Sequence, residues 1–321
     1  MKLTSRGRAA AIVAVVLAVI LLALLIWRLG PGRPVSEQQI AVAQVYQQTE
    51  QLRDGDLLDE LPQPQRDELR EELDAQLEAL GRPSERVLEA AQDKGMPVGV
   101  SQEDYVPGLP GAFLADARMI VHGPSADPEQ QVVLSSIAAH RAATALELGA
   151  EAQTVDRAVP ELTGEDALPA AQDGQEDPAA MGESAHPELA LARQLGQARH
   201  AAQTWSHLPP QQAPSSAAWA EALLPLQDSA WMSSLEQSHP SVIDGSPGMP
   251  EGFREDPDAA RDRLTAQLQD TALAQIAAAA DPEAQEIESV SPDPGTAVLM
   301  SLAIARAQDD QPVGALPGLE D

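Results

Sequence analysis

The chain has 321 residues, no cysteine and a formal net charge of −30 at pH 7. The absence of cysteine excludes a disulfide framework, a thiol nucleophile and a cysteine-ligated metal site. The acidic charge repels other polyanions, so we expect no nucleic acid among the partners. Arginine outnumbers lysine 18 to 2, which favours a GC-rich bacterial source.

Residues 9–27 form an uncharged apolar run of 19 residues. As an α-helix this run rises about 28 Å, close to the ~30 Å hydrocarbon core of a bilayer. The run therefore predicts one transmembrane helix in contact with the lipid bilayer. Lys2, Arg6 and Arg8 precede it, and no acidic residue lies among the first 27 positions. This basic flank predicts a single-pass inner-membrane protein with a cytoplasmic N-terminus and an extracytoplasmic, periplasmic remainder.

A cleaved signal peptide is the alternative interpretation of this run. Its apolar stretch would span ~7–15 residues and lead directly into a small-x-small cleavage site. Here the run is longer, and the nearest such site, Ala41-Val42-Ala43, lies more than a dozen residues beyond it. We therefore expect an uncleaved signal-anchor.

The capacity to form a core is low after the apolar run. Leu, Ile, Val and Phe account for 57 of the 294 residues that follow position 27, or about 19%. Such a fraction, combined with high net charge, is typical of chains that do not form one large core. We expect a mainly α fold: one N-terminal transmembrane helix, then amphipathic helices that are joined by Pro/Gly-rich and acidic flexible linkers and move separately.

The composition and the positions of proline and glycine predict seven segments along the chain. They are a cytoplasmic tail (1–8), the transmembrane anchor (9–27), a stalk (28–64), a helical region (65–149), an acidic disordered linker (150–185), a tryptophan-containing helical region (186–240), and C-terminal helices with a tail (241–321).

Leucines recur on one face of the first helical region. Leu69, Leu73, Leu77 and Leu80 follow the spacing i, i+4, i+8, i+11, which predicts a helix over 65–80 that ends at Gly81. A short helix to about residue 94 follows. The stretch 95–123 is rich in Gly and Pro, and we expect loops there with one short strand at 118–122.

Three later helices have clear start signals. Asp127 precedes Pro128, which predicts an N-cap and a helix to about residue 148. Pro187 and the pair Asp256-Pro257 open two more. Their apolar faces are Leu191, Leu195, Ala198, Ala202 and Trp205 in the first, and Leu264, Leu268, Ala272 and Ile276 in the second. A last helix is expected over 296–308.

No pattern predicts catalytic, cofactor-binding or metal-binding residues. His200 and His207 are seven positions apart, and no His-x-x-x-His pair occurs. The carboxylates from Asp54 to Asp59 lack the order of a calcium loop. The run from Gly182 to His186 lacks the final glycine of a nucleophile elbow. We therefore expect no cofactor.

Three of the four tryptophans fall between residues 205 and 231. Tryptophan is enriched at binding hot spots, and short helices in an acidic chain suit docking. The candidates for partner binding are Trp205, Trp219, Leu223, Trp231 and Met232. The alternative interpretation is that the three rings form the small core of a local helical hairpin.

Two classes of function are left by these exclusions. The first is a non-enzymatic membrane-tethered adaptor or scaffold that holds one or more proteins near the extracytoplasmic face. The second is a membrane-anchored hydrolase or metal-dependent enzyme whose active site follows no recognised motif. The anchor, the acidic charge and the tryptophan segment favour the first class.

Overall fold

A computed structural model describes residues 34–94, 106–167, 186–240, 248–281 and 293–319. Within these ranges the chain forms eleven α-helices and no strand, and 74% of the residues are helical. The expectation of a mainly α-helical protein is therefore confirmed for this part of the chain.

The apolar run at 9–27 lies outside the described ranges, as do residues 1–8 and 28–33. Among the helices that the structure describes, none is both long and apolar enough to cross a membrane. The anchor therefore stays a prediction from the sequence.

Within the described ranges, three 3₁₀ turns occur at residues 56–60, 164–166 and 210–212. The α-helices are α1 (Glu37–Asp54), α2 (Gln63–Leu80), α3 (Glu85–Lys94), α4 (Gly108–Val121), α5 (Pro128–Glu147), α6 (Ala152–Asp156), α7 (Pro187–Ser206), α8 (Ala218–Gln227), α9 (Ala230–Ser238), α10 (Pro257–Ala280) and α11 (Asp293–Gln308).

The predicted helix boundaries are confirmed where local chemistry defines them. The Asp127 carboxylate accepts a hydrogen bond from the Gln130 N–H at 3.1 Å, and Asp256 accepts one from the Ala259 N–H at 3.1 Å. Both acids therefore act as N-caps. Gly81 follows α2 with a φ of 65°, a left-handed conformation that glycine adopts without a steric penalty.

The expected loops and strand before residue 123 are wrong from residue 108 onward. Residues 108–121 form α4, and the expected strand at 118–122 is the end of this helix. Leu109, Phe113, Ala117 and Ile120 have helical spacing and are all buried. The Gly/Pro-rich composition predicted loops here, but packing of this helical face decides the structure.

The core is built around α5 and α11. These two helices pack against each other, α4 and α10 pack on α5, and α8 and α10 pack on α11. Thirteen of the 16 residues of α11 are buried, so it is covered on all sides rather than on one face. The described residues from 38 onward form one compact unit.

Composition predicted that the chain has little capacity to form a core, but the described residues do form one. Their buried apolar side chains form one connected cluster that extends from α1 to the segment after α11. Of the 60 buried apolar residues in the described ranges, 23 are alanines, which the count of Leu, Ile, Val and Phe omits. Alanine lets helices approach closely, so a chain poor in large apolar residues still forms a shared core.

The first part of the expected acidic linker packs on this core. Residues 150–167 contain the short helix α6, and Val155, Ala158 and Leu162 are buried. These three side chains recur every three to four positions, which lets one side of the segment face the helices. Residues 168–185 lie outside the described ranges.

Candidate functional site

The five predicted partner-binding residues are all buried, with at most 5% of any of them exposed. The Trp205 ring stacks on Phe253 with centroids 4.7 Å apart, and its Nε1 donates to the Phe253 carbonyl at 3.0 Å. Trp219 meets Trp205 edge-on at 6.0 Å. The rings therefore fasten α7 and α8 to the segment before α10.

Trp231 is fully buried at the start of α9. Its Nε1 donates a hydrogen bond to the Glu188 carboxylate of α7 at 2.8 Å. Leu223 and Met232 are buried with it in the same core. In this arrangement the candidates are packing residues that hold α8 and α9 in place, and their predicted contact with a partner is untested.

An open groove lies on the accessible side of the same two helices. We call it the α8–α9 groove; it has a volume of about 760 Å³ and three walls. The walls are residues 156–163, the α8–α9 turn and α11. Leu162, Leu226 and Ile304 contribute buried apolar side chains to its floor.

The rim of the α8–α9 groove is acidic. Asp156, Glu161 and Glu221 line it and are exposed to solvent. Desolvation by partial burial raises the pKa of the Asp156 carboxyl. A cation that approaches the rim would therefore relieve part of the cost of ionising Asp156.

Two arginines near the groove already have partners. The Arg157 guanidinium donates to the Gln153 carbonyl at 3.2 Å and to the Thr154 hydroxyl at 3.1 Å. Arg199 forms an ion pair with Asp228 at 3.5 Å. The rim carboxylates of Asp156, Glu161 and Glu221 form no ion pair with another described residue.

Pro225 lies inside α8 and also lines the groove. Proline has no N–H, so residue 225 cannot donate the helical hydrogen bond to the carbonyl of Glu221. Glu221, whose carbonyl this is, also lines the groove. The groove wall therefore carries a main-chain acceptor that regular helical bonding does not satisfy.

A second cluster of polar side chains is buried between α1, α2, α4 and α5. The Arg141 Nη2 donates to Gln76 Oε1 at 2.7 Å and to Thr49 Oγ1 at 3.1 Å. Its guanidinium lies 4.9 Å from the centre of the Phe113 ring. The Asp116 carboxylate is 3.8 Å from Arg141 Nη1. These contacts place a charged pair inside the core.

Burial dominates the protonation of this pair. Desolvation raises the pKa of Asp116 to about 6, although the nearby Arg141 opposes the shift. Desolvation lowers the pKa of Arg141 to about 10, against the attraction of Asp116 and Glu72. Both shifts disfavour the charged forms, because burial deprives the two groups of hydration that their mutual attraction only partly replaces.

His140 links this cluster to a pocket of about 360 Å³ between α2, α5 and the C-terminal segment. Its Nδ1 accepts from Gln76 Nε2 at 2.9 Å, so its Nε2 is the donor to Glu72 at 3.1 Å. Burial and repulsion by Glu72 and Glu68 raise the pKa of Glu147. Across the described ranges, no three His, Asp or Glu side chains are grouped to hold a metal ion.

The sequence predicted a tryptophan-containing helical region over 186–240, which includes α8 and α9, but it did not predict the groove. Its floor combines Leu162, Leu226 and Ile304, which are far apart in the chain. No local sequence pattern predicts that these three residues come together in the folded chain. Pro225 is the one local signal, because a proline inside a helix marks a position where the regular main-chain hydrogen bonding is interrupted.

Comparison of the chain with protein-family models, with curated proteins and with solved structures gave no match.

Proposed function

We propose that this protein is a membrane-tethered adaptor or scaffold that acts through protein–protein contacts at the extracytoplasmic face. The observation that carries the proposal is one 19-residue apolar run in a chain whose remaining residues are strongly acidic. The run has the length that a bilayer requires. The acidic charge repels anionic lipid headgroups, which leaves the protein surface available to other proteins.

The α8–α9 groove supports the part of the proposal that concerns protein contacts. It combines an apolar floor with an exposed charged rim, the arrangement in which a buried centre gives affinity and polar edges give specificity. The buried tryptophans hold its walls in position. A wall that is already in position loses little conformational freedom when a partner binds.

Perturbed ionisable groups typically cluster in catalytic pockets. Here Asp116 and Arg141, whose pKa values are strongly shifted, contact core side chains and do not line the α8–α9 groove. Two carboxyls with a raised pKa do line cavities, Asp156 in the α8–α9 groove and Glu147 in the pocket between α2 and α5. In the part of the chain that the structure describes, neither belongs to a group of three His, Asp or Glu side chains that could hold a metal ion, so the adaptor remains the proposal.

Reporter fusions test the anchor and its orientation. We expect a periplasm-dependent reporter to be active when it is fused after residue 33 and when it is fused at residue 321. A matched cytoplasm-dependent reporter should be inactive at both positions. Activity of the cytoplasmic reporter at residue 321 would overturn the proposed topology.

Photo-cross-linking in intact membranes tests the adaptor function. A photoreactive residue at Ala230 samples the α8–α9 groove, and one at Glu85 samples an exposed position on α3. We expect a discrete protein adduct that reciprocal pull-down of the cross-linked protein also recovers. Absence of any adduct from either site, and from a panel of further exposed sites, would overturn the adaptor.

A further inference from the structure

We infer that the α8–α9 groove binds a basic, apolar peptide segment of a partner protein. Arginine or lysine side chains of that segment contact the acidic rim, and its apolar side chains contact the floor. The inference rests on the proposed adaptor function, and it names the chemistry of the partner.

The dimensions and floor of the groove fit a peptide. Its volume of about 760 Å³ lies within the ~300–1,000 Å³ range of ligand pockets. Leu162, Leu226 and Ile304 lie beneath it and are at most 4% exposed. The apolar surface that an entering side chain can cover therefore lies mainly on Val159, Ala222 and Pro225, which line the groove and are partly or fully exposed. The rim residues are exposed, and a chain can therefore enter and leave at the surface.

Charge identifies the occupant. The rim carboxylates of Asp156, Glu161 and Glu221 attract a cation, while the one rim arginine, Arg157, is hydrogen-bonded to its own helical turn. A second copy of this chain, with its net charge of −30, would be repelled. The chain's own segment 168–185 contains four acidic residues and no lysine or arginine, so the rim repels it also.

The main chain of the groove wall adds hydrogen-bonding capacity. Residues 160–162 have neither helical nor turn structure, and they form no main-chain hydrogen bond with another described residue. The Glu221 carbonyl on the opposite wall lacks its helical donor because residue 225 is proline. An extended peptide satisfies such groups with its own N–H and C=O groups.

A binding experiment on the full chain in lipid nanodiscs tests the inference. The probe is a fluorescently labelled peptide of alternating arginine and leucine, followed by anisotropy at physiological salt. Two matched peptides replace leucine by serine or arginine by glutamate. We expect the arginine–leucine peptide to bind at least tenfold more tightly than either. Equal binding of the arginine–serine peptide would overturn the role of the apolar floor.

Charge-reversal variants distinguish binding at the groove from attraction by the overall negative charge of the protein. Glu161→Lys with Glu221→Lys should weaken binding of the arginine–leucine peptide at least tenfold. The control, Glu71→Lys with Glu85→Lys, makes the same charge change at exposed positions on α2 and α3 and should alter binding less than twofold. An equal loss in both double variants would show attraction to bulk charge and overturn the inference.

A second variant blocks the groove without changing charge. Ala230→Trp places an indole at a lining position that is exposed, so the fold has room for it. We expect at least a tenfold loss of peptide affinity, with Ala230→Ser as the control that retains binding. Unchanged affinity in Ala230→Trp would overturn the inference.

The outcomes distinguish the two proposals. If cross-linked partners persist in membranes while none of the groove variants changes peptide binding, the groove inference fails and the adaptor function stands. If peptide binding depends on the groove but no protein adduct forms in membranes, the adaptor function fails.

Discussion

Gln76 and Ala315 are joined by a hydrogen bond across 239 positions of the chain. The Gln76 Nε2 donates to the Ala315 carbonyl at 3.0 Å, and both residues are buried. The same side-chain amide accepts from Arg141 and donates to His140. One glutamine therefore fastens α2, α5 and the C-terminal segment together.

Replacement of this glutamine tests its role as a link. Gln76→Leu retains the approximate volume but leaves Arg141 and the Ala315 carbonyl without their partner, so we expect a loss of about 2–4 kcal/mol in the free energy of unfolding. Denaturant titration of the full chain in detergent measures it. Gln63→Leu, at an exposed position in the first turn of α2, is the control and should change stability little.

Asp116 makes stability depend on pH. Because burial raises its pKa to about 6 from 3.8, the folded state favours the protonated carboxyl. Asp116 therefore lowers folded stability progressively as the pH rises from about 4 through 6. Asp116→Asn removes this effect, and its stability relative to the wild type should rise by about 1–3 kcal/mol between pH 4 and pH 7.

Unfolding curves of the two proteins at several pH values measure the difference. Asp54→Asn is the control, since Arg53 holds the pKa of the exposed Asp54 carboxyl below its usual value. Its stability difference from the wild type should change little between pH 5 and pH 7. A difference for Asp116→Asn that falls with rising pH would mean that the ionised pair with Arg141 stabilises the fold.

Gly295 lies where α11 crosses α10. A Cβ atom at this position would lie 2.5 Å from the Ala272 carbonyl oxygen and 2.7 Å from the Ile276 side chain. Gly295→Ala should therefore cost about 1–3 kcal/mol through overpacking. Gly196→Ala is the matched control, because nothing lies within 4 Å of its added Cβ in α7. It should stabilise the protein by about 0.5–1 kcal/mol, and thermal unfolding of both variants decides.

Trp231→Ala and Trp219→Ala should unfold the protein partly even without a partner. Removal of a buried aromatic ring costs about 3–5 kcal/mol, and Trp231 also supplies a hydrogen bond to Glu188. Lower helicity by circular dichroism and faster proteolysis are expected. Leu224→Ala, at a position on α8 that is 48% exposed, should do neither. Unchanged folding with lost cross-linking would instead support direct partner contact by the tryptophans.

The predicted anchor is testable by substitution in the apolar run. Leu21→Asp with Leu22→Asp should release the protein from the membrane or lead to its degradation, because each acid costs ~2.5–3.5 kcal/mol at mid-membrane. Leu21→Ala with Leu22→Ala keeps the run apolar and should remain in the membrane fraction. Carbonate extraction followed by immunoblotting measures both, and retention of the aspartate variant would argue against a spanning helix.

Much of the helical fold could be predicted because its signals are local. Asp127, Asp256 and Gly81 mark helix ends through contacts within a few residues. The burial of Trp205 follows in part from helical spacing, but its stacking on Phe253 does not, since 48 positions separate them. The groove was not predictable for the same reason, because Leu162 and Ile304 come together only in the folded chain.

The alanine-rich contact between α5, α10 and α11 has a consequence for evolution of this protein. An alanine side chain has no rotamers to lose on folding, so the fit depends on the spacing of the helix axes. Ala138, Ala272 and Ala303 are buried in these three helices, so a larger residue there must displace the atoms packed around it, whereas glycine removes a single methyl group. Sequence drift at these positions is therefore confined in one direction: glycine remains accessible, and branched or aromatic residues do not.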